Sequence, residues 1–410
     1  MDSDFLFYTI IGILVIQYLM DTILDYLNTK HFLKEIPEEL QDIFDAADYQ
    51  KAQEYHRENY RLGLLKDGIS LAVILLFLVF GGFGFVDNFV REYTDNGILQ
   101  ALGFFGILAL GSSIVSLPLS YYQTFFIEEK YGFNKTTKAT FWLDILKSGL
   151  LSMLLGGGLL ALVIWFLEWA GVNFWLYIWL IAMVFMVSLN LFYSKLLVPL
   201  FNKQTPLEAG DLKMAIENYA KKVGFDLKNI FVIDGSKRST KANAYFSGFG
   251  KQKRVTLYDT LIKDLNEEEI VAVLAHEVGH YKRKHIVFNM FASIALTGIM
   301  LYILSVFINY PQLSLSIGVQ EESYHAGLLA FFLLYSPISI VTGLLMNHLS
   351  RKFEFQADDY AKNTFASNPL ISSLKKLSKN NLSNLTPHPA YVFVHYSHPP
   401  LIERIKNLKA

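Results

Sequence analysis

Long apolar runs, rather than alternating apolar and polar residues, dominate the hydrophobic pattern of this chain. A helix needs about 20 apolar residues to cross a bilayer, and seven runs approach or exceed that length. They lie near Phe5–Leu27, Ile69–Val90, Ile98–Phe125, Ile145–Leu167, Phe174–Leu197, Ile286–Ile308 and Ala326–Met346. The pattern therefore predicts an all-α polytopic membrane protein with seven transmembrane helices.

Two of these runs contain residues that disturb a helix. The third run holds Ser112, Ser113 and Pro118, so we expect it to be broken or to face protein or water. The fourth contains Gly156–Gly158, which indicates a kink or close packing against a neighbour.

The polar segments predict the soluble parts. Residues 28–67 are typical of an amphipathic helical region, and residues 199–285 form the main insert, with a helix at Asp211–Val223. Two short strands are predicted at Phe231–Asp234 and Arg254–Tyr258, and the segment 241–248 between them would bind an extended substrate by edge pairing or form an ordinary hairpin. A tail region begins with a helix at Arg351–Lys362. We therefore divide the chain into 1–198 (five transmembrane helices), 199–285 (first part of a mostly helical soluble domain with a small β-hairpin), 286–348 (helices 6 and 7) and 349–410 (second part of that domain).

Charge predicts the orientation of the helices. Lys and Arg concentrate in the connections between runs 1 and 2, 3 and 4, and 5 and 6, and in the tail, whereas the alternate connections carry only Arg91. The positive-inside rule then places the N-terminus outside and the tail in the cytosol. We expect a cytoplasmic membrane in a prokaryote and the endoplasmic reticulum membrane in a eukaryote.

The composition indicates a membrane protein and limits which residue types could bind a metal ion. Hydrophobic residues make up 52% of the 410 residues and charged residues 18%, with a mean hydropathy of +0.31, which is typical of a membrane protein. A net charge of -1 argues against nucleic acid as a partner. With no cysteine, any metal must be held by His, Asp or Glu. The absence of cysteine and of a recognisable retrieval tail favours a prokaryotic source.

The segment His276–His280, with the sequence HEVGH, carries the most specific chemistry. On a helix, His276 and His280 project from one face and can reach one metal ion. Glu277 lies beside them, placed to take a proton from water that the metal activates. The alternative is a structural helix with two chance histidines, but the apolar Val271–Ala275 before the motif indicates a helix entering a buried environment.

A catalytic zinc ion usually has three protein ligands, so one more is required. Glu354 follows the seventh run, and a hairpin of runs 6 and 7 would bring it to the metal although it lies far from the motif in sequence. Asp358, one turn later, could orient a zinc-binding histidine. The alternative is that Glu354 is an exposed carboxylate on a helix surface. Because the metal site with His276 and His280 lacks a third ligand, we favour Glu354 as that ligand.

Two further regions contain residues of interest. His398 lies in a Pro-rich turn, where it would either donate to the oxyanion of a tetrahedral intermediate or pack a loop. His285, just before the sixth run, is interpreted as structural.

Five segments, together with the HEVGH helix, carry a resemblance to a known family. They are Glu128–Lys135, Pro199–Lys203, Asn243–Phe246, Phe353–Asp358 and His395–Arg404. The chain resembles the type I CAAX prenyl proteases, integral-membrane zinc endopeptidases of the gluzincin group.

The resemblance implies seven helices around a water-filled chamber, with one zinc ion on His276, His280 and Glu354 and with Glu277 as general base. It also implies that Asn243 and His398 steady the substrate or transition state. Arg404 lies in the last matching segment, His395–Arg404, and the roles of Arg404 and Asp358 near the site are left open. Members of the family remove the last three residues after a prenylated cysteine.

The sequence thus predicts a membrane zinc endopeptidase acting on prenylated or membrane-associated proteins or peptides. A quality-control zinc protease with unprenylated substrates is the alternative. A transporter or channel is a third possibility, but it leaves the metal motif unexplained. The oligomeric state stays open.

Overall fold

The computed structural model describes residues 2–31, 35–225, 227, 229–247 and 254–410. In the described part the chain is mostly helical. The helices are α1 (Ser3–Lys30), α2 (Ala46–Val79), α3 (Gly82–Arg91), α4 (Gly97–Tyr122), α5 (Lys138–Ser152), α6 (Gly158–Ala170), α7 (Phe174–Phe192), α8 (Val198–Phe201), α9 (Asp211–Lys222), α10 (Asp259–Asp264), α11 (Glu267–Lys282), α12 (His285–Phe307), α13 (Pro311–Leu315), α14 (Tyr324–Thr364), α15 (Ser367–Asn380), α16 (Pro389–His395) and α17 (Leu401–Lys409).

Among the described residues, six helical stretches are long and apolar enough to cross a membrane. They are Ser3–Lys30, Ala46–Val79, Gly97–Glu128, Lys138–Phe201, His285–Phe307 and Tyr324–Thr364. The fourth stretch contains two of the predicted spans, and a turn at Gly171–Asn173 divides it. Across that turn Phe166 stacks on Tyr177 with ring centroids 5.4 Å apart, so the chain reverses there. The polytopic helical fold is confirmed, and the count of seven crossings stays a prediction, as does the internal chamber.

Three details of the predicted spans differ from the structure. The second predicted span is split, because Gly81 adopts a left-handed conformation (φ 69°) and α3 starts as a separate helix. The third predicted span is not broken at Pro118, because α4 continues through it to Tyr122 and then passes into a π-helical turn at Gln123–Glu128. The alternative, that this span faces protein or water, stays a prediction. The fourth span has a π-helical turn at Met153–Gly157, a local irregularity of the kind that its glycines indicated.

Four short strands form one mixed sheet. They are β1 (Gln204–Pro206), β2 (Ile230–Ile233), β3 (Ala244–Ser247) and β4 (Arg254–Tyr258), in the order β1-β2-β4-β3. The antiparallel pair β3–β4 corresponds to the expected hairpin, and β2 pairs parallel to β4. Gly248, at the end of the predicted edge segment, lies outside the described residues. The edge position of β3 leaves one side of this strand without a neighbour in the sheet, within the described residues.

Helix α11 is the centre of the soluble core. Its start is fixed by a capping box, in which Asn266 and Glu269 each accept the other's backbone N–H. Its apolar residues Ile270, Val271, Leu274, Ala275 and Val278 are buried in one cluster with residues of α9, α15, α17 and β4. This burial holds the histidine face of α11 in a fixed position.

Helices α12 and α14 connect the membrane region to this core. Helix α11 ends at Lys282, and Lys284 adopts a left-handed conformation (φ 61°) before α12 begins at His285. Helix α14 is one helix of 41 residues, where a transmembrane span and a separate tail helix were predicted. It packs closely along α11. A single helix thus runs from the membrane region into the soluble core.

Candidate metal centre

The two histidines of the HEVGH segment face each other across one turn of α11. The distance between His276 Nε2 and His280 Nε2 is 3.1 Å. His276 is buried, with 7% of its surface exposed. Two ring nitrogens this close and directed to one point are able to share a cation.

Helix α14 brings Glu354 to these rings. Its Oε2 lies 3.4 Å from His276 Nε2, and its Oε1 lies 3.2 Å from His280 Nε2. The approach requires a glycine on α11, since a Cβ at Gly279 would lie 3.0 Å from the Cα of Ala357. The structure therefore brings together His276, His280 and Glu354, as the hairpin argument predicted.

The three side chains fit a metal ion. Tetrahedral ligands bound at about 2.0–2.1 Å are separated by about 3.3–3.4 Å, close to the separations observed between these atoms. Glu354 is 4% exposed, and its Oε2 has no hydrogen-bond donor in the described part of the chain. An orphaned buried carboxylate oxygen is costly unless a cation occupies the space beside it.

Asp358 contacts Nδ1 of His276, and Arg404 fixes the position of Asp358. Asp358 is fully buried, and its Oδ1 lies 2.8 Å from His276 Nδ1. Arg404, on α17, donates to both oxygens of Asp358 and also places Nη1 3.5 Å from Glu354 Oε2. With Nδ1 donating to Asp358, the lone pair of Nε2 is directed toward Glu354 and His280.

The carboxylates also set the protonation of this centre. Burial lowers the pKa of His276, but the nearby carboxylates of Asp358 and Glu354 outweigh it and raise the pKa to about 9. Burial likewise opposes the charge of Arg404, whereas Asp358 raises its pKa, so Arg404 stays cationic. The centre therefore favours a positive charge between the two imidazoles and Glu354.

Glu277 is half-buried beside the two histidines on α11. Burial raises the pKa of its carboxyl group, and the nearby imidazoles of His276 and His280 oppose that rise. A carboxylate with a raised pKa is a better proton acceptor than an exposed one, which suits a general base.

His398 and Asn243 stand in different relations to the cluster. His398 is well exposed, with Nε2 3.4 Å from Glu354 Oε1 and Nδ1 2.9 Å from Ser397 Oγ, so it lies at the open side of the cluster. Asn243 lies just before β3, a strand that contacts α11. Its Oδ1 accepts from Ala244 N, and no hydrogen bond joins it to the cluster within the described residues.

Two contacts were not predicted from the sequence. His285 Nδ1 lies 3.1 Å from His280 Nδ1, and His285 Nε2 lies 2.9 Å from Gln356 Oε1. The His285 ring is buried and stacks on Phe353 at 4.2 Å between centroids. A spacing of five residues does not place His280 and His285 on one helix face. The bend at Lys284 brings the two rings together, and no pattern in the sequence predicts this bend.

Comparison with known families decides the class of the protein. The family model described as the CAAX prenyl protease N-terminal region, with five membrane helices, matches residues 25–203. The model of peptidase family M48 matches residues 206–410. The chain belongs to the M48 peptidase family. It is a membrane metallopeptidase of the CAAX prenyl protease type.

Relatives of this M48 peptidase extend over nearly its whole length. CAAX prenyl protease 1 homolog from Arabidopsis thaliana is 35% identical and covers 98% of this chain and 96% of its own. CAAX prenyl protease 1 from Saccharomyces cerevisiae is 34% identical, covering 97% and 94%. The crystal structure of S. mikatae Ste24p has a TM-score of 0.93 at 33% identity and covers 99% of both chains.

Proposed function

We propose that this M48 peptidase is a zinc endopeptidase that removes the C-terminal tripeptide from prenylated CAAX proteins. The substrate class follows from the names of its full-length relatives. The observation that carries the chemistry is the convergence of His276, His280 and Glu354, whose ligand atoms all lie within 4.8 Å of one another. We assign these three residues as the ligands of one zinc ion.

Zinc, when bound, supplies a Lewis acid that lowers the pKa of water from 15.7 toward about 7. Glu277 takes the proton of the attacking water and later passes it to the leaving amine. His398, at the open side of the cluster, donates from Nε2 to the oxyanion that develops on the scissile carbonyl. Both side chains lie next to the cluster, which supports these roles.

Each of the two histidines has a hydrogen-bond acceptor for its Nδ1–H, which leaves the lone pair of its Nε2 free for the metal. Asp358 accepts from Nδ1 of His276, with Arg404 fixing the carboxylate. For His280, Nδ1–H donates to His285 Nδ1, and His285 Nε2–H donates to Gln356 Oε1. This is the one assignment of protons in which an amide oxygen accepts and His280 Nε2 stays free for the metal. We therefore assign His285 and Gln356 as positioning residues.

The substrate enters as an extended chain beside α11. Strand β3 is at the edge of the sheet and contacts α11, which supports edge pairing with a peptide backbone. Asn243, at the start of this strand, would steady the peptide. In this arrangement residues 1–198 and 286–348 supply the membrane part, and residues 199–285 and 349–410 form the peptidase part on the cytosolic side.

The test compares a farnesylated peptide ending in a CAAX sequence with its unprenylated counterpart, incubated with the purified full-length protein. We expect loss of three C-terminal residues, measured by mass, from the farnesylated peptide alone. Equal cleavage of both peptides would assign the enzyme to unprenylated substrates and overturn the proposal.

The catalytic assignment is tested by Glu277→Gln. We expect this variant to keep its zinc, measured by metal analysis, and to lose turnover. Glu268→Gln is the matched control, because Glu268 is exposed on the same helix. Turnover near that of the control in metal-loaded Glu277→Gln would remove Glu277 from its role.

A further inference from the structure

A basic cleft lies apart from the metal centre, where α5 and the segment 195–203, which follows α7, meet the sheet. Its volume is about 620 Å³. The cationic side chains that line it, which define the basic cleft, are Lys147, Lys195, Lys203, Lys237 and Arg254. One carboxylate, Asp234, lies among them. The charges therefore favour an anion.

The carboxylate of Asp234 is already occupied by neighbouring donors. Its Oδ1 accepts from Asn202 Nδ2 and from Lys203 N, both at 2.9 Å. The side-chain oxygen of Asn202 in turn accepts from Arg238, which forms a bidentate pair with Asp144 of α5 at 2.6 and 2.8 Å. These contacts hold Asn202 and Lys203 in place, and Lys147 donates to the backbone oxygen of Leu200 at 2.9 Å. The side chains of Lys195, Lys203 and Lys237 are then the lysines that face a ligand.

Arg254 supplies buried donors at the same place. Its guanidinium stacks on Phe231, 3.4 Å from the ring centroid, and donates to the side-chain oxygen of Gln204. The Nε of Arg254 and the Nε2 of Gln204 are buried and have no acceptor in the part of the chain that the structure describes. The guanidinium charge of Arg254 nevertheless adds to the cationic lining of the cleft.

The surface beside the cleft is apolar and exposed. On α5, Leu146 and Leu150 flank Lys147 and are each 58% exposed. Leu196 and Leu200, next to Lys195, are 60% and 48% exposed. Both pairs lie on helical stretches apolar enough to cross a membrane. A ligand that fills the cleft therefore has acyl-binding surface immediately next to its anionic group.

We propose that the basic cleft binds the phosphate headgroup of an anionic phospholipid, whose acyl chains lie along the exposed leucines of α5 and of the helical segment 193–201 that follows α7. Lysine and arginine clusters at the ends of membrane helices bind such headgroups through electrostatic attraction. The bias of Lys and Arg predicts that this end of the helices faces the cytosol, where anionic lipids are concentrated. A free phosphate shares the headgroup chemistry but leaves the leucines uncovered.

The test is native mass spectrometry of the full-length protein in detergent, titrated with dioleoyl phosphatidic acid or with phosphatidylcholine of the same acyl chains. We expect phosphatidic acid to bind about 10-fold more tightly or better. The triple variant Lys195→Gln, Lys203→Gln, Lys237→Gln should lose most of this preference. These three side chains are exposed, so their replacement spares the core.

The matched control removes three exposed lysines elsewhere, Lys51, Lys221 and Lys263, by the same substitution. It should bind phosphatidic acid as the unmodified protein does. Equal lipid preference in the two triple variants would overturn the proposal. Displacement of the lipid by inorganic phosphate at a similar concentration would assign the cleft to free phosphate and also overturn it.

A single charge reversal, Lys203→Glu, provides a second measurement if the triple variant does not fold. It should weaken phosphatidic acid binding several-fold, and unchanged binding would contradict the proposal. Because binding is measured without peptide substrate, the result is independent of the proposed peptidase function.

Discussion

Arg404 donates two hydrogen bonds to Asp358, from Nε to Oδ2 at 2.9 Å and from Nη2 to Oδ1 at 2.6 Å. Asp358 also contacts His276 through Oδ1, so one buried carboxylate joins the C-terminal helix α17 to the first histidine of the metal centre. The orientation of the His276 ring therefore depends on a residue 128 positions later in the chain.

Asp358→Asn should weaken metal binding by about 10–100-fold, because an amide removes the charge that favours the Nδ1–H form of His276. The measurement is competition for zinc with a chelator. Asp359→Asn is the control, since Asp359 bonds to Asn407 instead of the metal centre. Equal zinc affinity in the two variants would contradict the role of Asp358.

Gln356→Leu should lower zinc affinity by about 10-fold, because it removes the acceptor that fixes the protons of His285 and His280. Gln356→Glu keeps an acceptor oxygen at this position and should restore most of that affinity. A purely structural role would predict similar losses in both variants. Zinc competition together with the thermal midpoint of the metal-free protein separates the two explanations.

Gly279→Ala should destabilise the protein by about 1–3 kcal/mol, because the added methyl group would press on the backbone of Ala357. Gly63→Ala is the matched helical control: its Cβ would meet nothing within 4 Å, so it should be neutral or stabilising. The thermal midpoint in detergent measures both. A midpoint for Gly279→Ala equal to that of the control would contradict the close contact between α11 and α14.

The contribution of Glu269, in the first turn of α11, to the stability of the fold should depend on pH. Burial opposes its charge, but hydrogen bonds from Lys376 and Ser372 outweigh this effect and lower its pKa. Ionised Glu269 therefore contributes stability above its unfolded pKa of about 4.3, and that contribution is lost as the pH falls through the lower folded value. The difference in thermal midpoint between the unmodified protein and Glu269→Gln should be largest near neutral pH and shrink below about pH 4. A constant difference would contradict this linkage.

The sequence correctly predicted the features that depend on a local residue pattern, namely the helices and the two histidines on one helix face. Apolar runs predicted the polytopic helical fold, and the spacing of His276 and His280 predicted two rings on one face of α11. The proximity of Glu354 followed from one topological argument, the hairpin of the last two spans. That these residues hold zinc stays a prediction.

The remaining contacts depend on geometry that residue types do not reveal. The left-handed conformation of Lys284 places His285 Nδ1 3.1 Å from His280 Nδ1, a contact that residue types do not predict. The span with Pro118 was expected to be broken or to face protein or water, and the structure shows an unbroken helix at Pro118 with a π-helical turn several residues later, at Gln123–Glu128. The basic cleft is likewise assembled from α5, the segment 195–203 and three strands, so no single segment of the sequence displays it.

Helix α14 makes the position of Glu354 sensitive to events far from the metal centre. Near its first turn His325 contacts Asp87 at 2.6 Å, and Glu354 lies about 44 Å further along the axis at 1.5 Å per residue. Deleting one residue anywhere between them would rotate the carboxylate by about 100° around the axis if the helix stayed unbroken. The length of α14 thus sets both the distance and the direction of the Glu354 carboxylate relative to His276 and His280.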